Sequence, residues 1–156
     1  MKALLLPTAL LCAALAVQAA DTPGASPNVP QPTVQDRLAN ARKAVARNDW
    51  SGAMRELNAA LREDPQNADV HNLLGYTYRK RSSPDLVKAM DHYGMALKIN
   101  PLHKGAHEYI GEAYLARKQL PDAERHLAEL EKICGGPACE EYQDLAKSIA
   151  DYKARN

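Results

Sequence analysis

The chain contains no phenylalanine and a single tryptophan, and aromatic residues make up only 5% of its 156 residues. Core volume must therefore come from leucine, alanine, isoleucine and valine, together with seven tyrosines. Small aliphatic side chains let helices approach one another closely, so this composition favours an interior of tightly packed helices. The length allows about one domain and leaves no room for a separate catalytic domain.

The chain also lacks an excess of charge of either sign. It has 20 basic and 19 acidic side chains, and Lys2 is the only charged residue among the first twenty. Without that segment the two signs are equal in number. A balanced charge gives no electrostatic reason to bind nucleic acid or an anionic membrane, and we expect neither as a partner.

Sequence motifs of enzymes are missing as well. There is no Gly-x-Ser-x-Gly, no His-Glu-x-x-His, no phosphate-binding glycine loop and no dinucleotide fingerprint. The acidic pair Glu140 and Glu141 precedes an amphipathic segment, where the N-terminus of a helix favours negative charge without any catalytic role. We therefore expect a protein that is not an enzyme and that uses no cofactor.

The first twenty residues have the features of a secretory signal peptide. A basic start is followed by a short apolar run and then by small residues, which places cleavage after Ala19 or Ala20. The apolar run is shorter than the ~20 residues that a membrane anchor needs. Cys12 is therefore expected to be removed when the signal peptide is cleaved. The mature protein is accordingly expected in the periplasm or outside the cell, without membrane attachment, and the brevity of the segment is typical of bacteria.

Residues 21–33 form a segment rich in proline with almost no large apolar side chain. Such a segment cannot bury enough surface to offset the entropy lost on ordering, so it is predicted to be a flexible linker. Docking of this proline-rich segment to a partner is the alternative.

A pattern of 34 to 36 residues then recurs. Ala53, Ala89 and Ala123 are separated by 36 and 34 residues, and Pro65 and Pro101 are 36 apart. The two additional residues of the middle copy must lie in the turn that ends at Pro84. The periodicity predicts three repeats, at 34–67, 68–103 and 104–136.

The middle copy carries the clearest set of marker residues: Leu74, Gly75, Tyr78, Ala89, Tyr93, Ala96 and Pro101. This pattern resembles the tetratricopeptide repeat (TPR), a pair of antiparallel helices. The resemblance implies an all-α fold in which three helix pairs form a right-handed solenoid, with the first helix of each pair lining a concave groove. Residues 137–156 are apolar on one face and are predicted to form a helix that caps the last repeat.

Small residues are expected where the two helices of a repeat come closest. Gly75 is predicted to face Ala89, and Gly111 to face Ala123, because a larger side chain would push each pair of helices apart. Proline ends the repeats, since it cannot continue the helical hydrogen-bond ladder.

The side chains predicted to face the groove share one property: they project from the first helices away from the paired second helix. They are Arg42, Asn72, Tyr76, Arg79, Lys80, Glu108, Tyr109 and Glu112. Basic residues lie on the first two repeats and acidic residues on the third. This distribution predicts a peptide ligand with an acidic and a basic end, held centrally by Tyr76 and Tyr109.

The resemblance also allows a comparison with TPR domains that bind chaperones through a set of Lys, Asn and Arg side chains around a C-terminal carboxylate. The matching positions here are Leu38, Arg42, Leu73, Gly105 and Tyr109. That carboxylate clamp is not preserved.

Cys134 and Cys139 are the cysteines left after signal cleavage, and a short turn of glycine and proline separates them. In an oxidising compartment they are predicted to form a structural disulfide, with redox activity as the alternative. His103 and His107 are one helical turn apart, a spacing that metal sites use. However, His71 matches His107 and His92 matches His126 in the repeat register, which favours a role in packing or at the surface.

The sequence therefore predicts a non-enzymatic scaffold or adaptor that binds a protein or peptide through its groove. A metal-binding or thiol-redox accessory protein is the alternative. Self-association stays open.

Overall fold

The computed structural model describes residues 30–156. The predicted signal peptide and its cleavage site, and most of the predicted linker, lie outside these residues. In the described part of the chain there are seven helices and no strand: α1 Val34–Ala46, α2 Trp50–Glu63, α3 Ala68–Lys80, α4 Leu86–Ile99, α5 Lys104–Ala116, α6 Leu120–Cys134 and α7 Glu140–Arg155. The predicted all-α solenoid is confirmed.

Polar residues precede most of the helices, and their side chains accept hydrogen bonds from backbone N–H groups of the first turn. Thr33 accepts a hydrogen bond from the backbone N–H of Asp36, and the Asp36 carboxylate accepts from the N–H of Thr33, so the two form a capping box for α1. The side chains of Asp49, Asn67 and Asp85 accept a hydrogen bond from a backbone N–H in the first turn of α2, α3 and α4. These caps fix where α1 to α4 start.

Consecutive helices pack as antiparallel pairs, and the first helices α1, α3 and α5 also contact one another in sequence. Three apolar clusters fill the space between them. One is centred on Leu38 and Leu74, one on Tyr93 and Ile110, and one on Leu130 and Leu145. The first helices therefore form a continuous surface on which side chains from different repeats can act together.

Two glycines are placed where a side chain would collide with a neighbour. A Cβ atom at Gly75 would lie 2.6 Å from the ring of Tyr93 and 3.0 Å from the carbonyl oxygen of Ala89, which agrees with the predicted close contact. At Gly111 the atoms nearest to a Cβ belong to Leu145 of α7, at 2.6 Å, because α7 packs against α5. This contact was not predicted, and the contact of Gly111 with Ala123 stays a prediction.

Helix α7 closes the stack at its C-terminal end by packing on both α5 and α6. Gly135 adopts a left-handed conformation (φ 69°) that ends α6, and the structure joins Cys134 to Cys139 by a disulfide with the two Cα atoms 5.9 Å apart. Among residues 30–156, none of the helices is long and apolar enough to span a membrane.

Candidate functional site

All three first helices contribute to a cavity of about 380 Å³, here called the central pocket. Its lining residues are Arg42, Val45, Ala46, Asp69, Asn72, Leu73, Tyr76 and Tyr109. Four of the predicted groove residues, Arg42, Asn72, Tyr76 and Tyr109, are thus brought together. Asp69, Leu73, Val45 and Ala46 were missed, and their positions one turn from the predicted residues could have identified them.

Aromatic rings form one wall of the central pocket. The rings of Tyr76 and Tyr109 are tilted toward each other with their centroids 5.0 Å apart. The guanidinium carbon of Arg79 lies 5.7 Å from the centre of each ring, within reach of a cation–π interaction. The arrangement holds two half-buried tyrosines in fixed positions, as aromatic binding anchors require.

The side chain of Asn72 supplies an unused hydrogen-bonding group beside these rings. Its Oδ1 atom is inaccessible to solvent and has no hydrogen-bond partner among the described residues. A buried acceptor of this kind is costly unless something donates to it. Because this oxygen has no accessible surface, a ligand in the central pocket meets the apolar and aromatic wall and not this acceptor.

Arg79 and Glu112 do not provide free charges at opposite ends of a groove, and this part of the prediction was wrong. Their side chains bond to each other across two repeats, with Nη2 of Arg79 2.5 Å from Oε2 of Glu112. Arg79 also donates to the hydroxyl of Tyr93 at 3.3 Å, and Ser148 of α7 donates to Glu112 at 3.1 Å. These residues join α3, α4, α5 and α7, which is a structural role.

A second cavity, here called the acidic pocket, lies between α5 and the start of α7. It measures about 180 Å³ and is lined by Gly105, Glu108, Tyr109, Glu140, Glu141 and Asp144. Only Glu108 and Tyr109 were predicted as site residues, because the packing of α7 against α5 could not be foreseen. Lys80 is exposed and lies outside both pockets.

His103 and His107, the two histidines of the metal-site alternative, make hydrogen bonds within the protein. His103 is the N-cap of α5: its Nδ1 accepts from the N–H of Ala106, and its Nε2 donates to Asp69. His107 lies inside the helix and contacts His126 instead. The ring nitrogens of His103 and His107 are thus each engaged with separate partners in this structure.

Two equivalent histidine pairs recur in the second and third repeats. Nδ1 of His71 lies 3.1 Å from Nδ1 of His92, and Nε2 of His71 lies 3.1 Å from the carbonyl oxygen of Pro65. The carbonyl can only accept, so Nε2 of His71 carries the proton and its Nδ1 accepts from Nδ1–H of His92.

The third repeat has the same arrangement. His107 contacts His126 at 2.9 Å and the carbonyl of Pro101 at 3.0 Å. Tyr78 stacks on His92 and Tyr114 stacks on His126. Each pair thus ties the end of the preceding repeat to its own helices while both rings are neutral.

We expect these pairs to make the fold sensitive to acid. Burial, and then the neighbouring His107, lower the pKa of His126 from 6.5 to about 4, and burial lowers the pKa of His92. The unfolded chain therefore binds more protons between these values, and stability falls as the pH drops from about 6.5 towards 4. Replacing both with glutamine (His92→Gln and His126→Gln) should flatten the decline in Tm over this window, as followed by circular dichroism.

The comparison with the unmodified protein isolates the histidines, because every other titrating group is common to both chains. Glutamine can still donate a hydrogen bond to His71 or His107. Parallel curves of Tm against pH would contradict the assignment of neutral buried pairs.

One group of potential metal ligands is close enough together within residues 30–156. It consists of Cys134, Cys139 and Glu141, and its two sulfur atoms are already bonded to each other. The group cannot coordinate through thiolates in this state.

The sequence pattern of the TPR repeat matches residues 42–81. Comparison with curated proteins finds no match. Solved TPR domains resemble the fold. The first TPR of Spaghetti (RPAP3) bound to the HSP90 peptide SRMEEVD gives a TM-score of 0.67 at 16% identity, covering 78% of this chain and 96% of that one.

Two further structures give similar agreement. The TPR2B domain in the pHsp70 complex of yeast Sti1 has a TM-score of 0.68 at 13% identity, covering 79% of this chain and 98% of its own. The first TPR domain of human RPAP3 has a TM-score of 0.64 at 14% identity, covering 80% and 98%. The fold of this chain is therefore a solenoid of TPR repeats.

Proposed function

We propose, with the TPR solenoid as the premise, that this chain is a non-enzymatic scaffold that binds a peptide segment of a partner protein in its central pocket. The observation that carries the proposal is that the paired rings of Tyr76 and Tyr109 line one cavity together with side chains from all three first helices. A peptide can pack a side chain against the exposed parts of these rings. Half-buried aromatic side chains of this kind are typical anchors at protein interfaces.

Two of the similar structures contain chaperone ligands by name, an HSP90 peptide and pHsp70. These examples support peptide binding by the fold, but the ligand here should differ. Leu38, which stands at one of the clamp positions, is fully buried in the core, and Leu73 and Tyr109 stand at two others. A partner that presents a C-terminal carboxylate would therefore miss most of the clamp.

We place the mature protein in the periplasm or outside the cell. The signal-like first twenty residues and the bond between Cys134 and Cys139 support this location, since disulfides persist in oxidising compartments. N-terminal sequencing of the secreted protein should then begin at Ala20 or Asp21.

The binding proposal can be tested before a natural partner is identified. A library of random peptides displayed on phage is selected on the purified chain, and the enriched peptides are synthesised and titrated by calorimetry. We expect the double variant Tyr76→Ala with Tyr109→Ala to weaken binding by about tenfold or more, as loss of buried aromatic anchors does.

Val87→Ala is a matched control. Val87 lies on α4, is 68% exposed and lies outside the central pocket. It should bind the selected peptides as the unmodified chain does. If the tyrosine variant binds normally while Val87→Ala loses binding, the ligand occupies another face and the proposal is wrong.

A further inference from the structure

The acidic pocket contains a carboxylate that the fold leaves without a partner. Glu108 is only 8% exposed, yet it makes no hydrogen bond and no ion pair with any residue of the described chain. A buried acidic group is normally paired, because desolvation of an unpaired charge is strongly unfavourable. Its position in the wall of a cavity indicates that the missing partner comes from outside the chain.

The other acidic residues of the pocket reach it from a different element. Glu140, Glu141 and Asp144 belong to the first turns of α7, whereas Glu108 belongs to α5. None of these three is in an ion pair within residues 30–156. The N-terminus of α7 accounts for acids on that helix, but it does not account for the buried carboxylate on the opposite wall.

We propose that the acidic pocket binds the ammonium or guanidinium group of a lysine or arginine side chain on the peptide held in the central pocket. This inference rests on the proposed function. The two cavities share Tyr109, so a peptide lying across this ring can extend a basic side chain into the acidic pocket. The ring edge of Tyr109 gives the methylene stem of that side chain an apolar surface.

A metal ion fits the pocket less well. Metal ligands must converge within a few ångströms of one point, and the acidic residues of the pocket do not form such a group with Glu108. An elongated organic cation needs only a surrounding negative field and one close carboxylate.

The charges around Glu108 also make the binding depend on pH. Burial, and then Glu112, Asp144 and Glu141, raise its pKa to about 8, while Arg79 on α3 acts in the opposite direction. Glu108 is therefore largely protonated below about pH 8, and a bound cation favours the carboxylate. Affinity for the basic group should rise as the pH increases through this value.

The test uses Nα-acetyl-lysine amide as the probe and Nα-acetyl-norleucine amide as its uncharged control, titrated into the full chain and followed by NMR. Only the lysine probe should shift the amide signals of Glu108 and of the first turn of α7. Above about pH 8, where Glu108 is ionised, Glu108→Gln should weaken this binding at least about tenfold, the change expected when a buried charge pair loses one member.

Two further variants keep the result interpretable. Asp144 is exposed, so Asp144→Asn should not disturb folding. This variant should weaken binding of the lysine probe less than Glu108→Gln does. Glu131→Gln on α6 lies outside the pocket and should have no effect. Equal shifts with the norleucine probe, or unchanged lysine binding to Glu108→Gln, would overturn the inference, as would tight calcium binding in the absence of lysine binding.

The result of the lysine-probe titration can be distinguished from the result of the test of peptide binding in the central pocket. Tyr76→Ala removes a ring of the central pocket but no residue that lines the acidic pocket. It should still bind the lysine probe through Glu108, so failure of the central pocket leaves this signal intact. On the selected peptides, replacement of each lysine or arginine by norleucine or citrulline should weaken binding about tenfold. If the free probe binds but these replacements have no effect, the pocket recognises a small amine and the peptide assignment is wrong.

Discussion

Gly75→Leu is expected to lower the free energy of unfolding by about 3 kcal/mol, the upper range for overpacking a core. A Cβ at this position already lies 2.6 Å from the ring of Tyr93, which is fully buried, and 3.0 Å from the backbone oxygen of Ala89. Neither neighbour can shift without a loss of stability, because the Tyr93 ring is fully buried in the core and the Ala89 oxygen belongs to a helix backbone. Chemical denaturation followed by circular dichroism measures the loss.

The same substitution at Gly94 is a matched control in the adjacent helix. A Cβ at Gly94 meets no atom within 4 Å. Gly94→Leu therefore only replaces a poor helix former by a good one, and should leave stability unchanged or raise it by up to about 0.8 kcal/mol. Similar losses at both positions would mean that helix α3 does not approach α4 as described.

Arg79→Ala is the second change with a large expected effect. Arg79 and Glu112 have side chains that are 12% and 26% exposed, and breaking the pair leaves a carboxylate with little access to water. Removing one member of a buried pair costs about 3 to 5 kcal/mol, and partial exposure reduces this to about 2 to 3 kcal/mol. The hydroxyl of Tyr93 loses its donor as well.

Two comparisons test whether the loss of stability in Arg79→Ala comes from the unpaired charge. Lys147 and Asp151 are 75% and 53% exposed, so Lys147→Ala should leave the free energy of unfolding nearly unchanged. Replacing Arg79 and Glu112 together with methionine should recover much of the stability, because no unpaired charge remains. If Arg79→Ala and Lys147→Ala destabilise equally, the link between repeats contributes little to folding.

The repeat pattern was readable from the sequence because it depends on local rules. Helix caps such as Thr33 and Asn67, the prolines at the repeat ends and the small residue at Gly75 each act within one repeat. The position of Tyr76 and Tyr109 on the first helices also follows from the register, which is why both were expected at the site.

The remaining features depend on contacts between repeats that no periodicity specifies. Arg79 and Glu112 lie 33 positions apart and were interpreted as two free charges, yet they satisfy each other. Gly111 faces Leu145 because α7 occupies the place where a further repeat would begin. The acidic pocket depends on this same placement of α7, and so it could not be predicted from residues on α5 alone.

The contacts of Arg79 have a consequence for the dynamics of the stack. In repeat proteins each unit normally contacts only its neighbours, so opening can start at one end and spread along the array. Here Arg79, Glu112 and Ser148 connect α3, α5 and α7, and fraying of α7 would remove a donor from Glu112. We therefore expect α3 to α7 to open as one cooperative unit, and α1 and α2 to exchange their amide hydrogens at a lower free energy of opening.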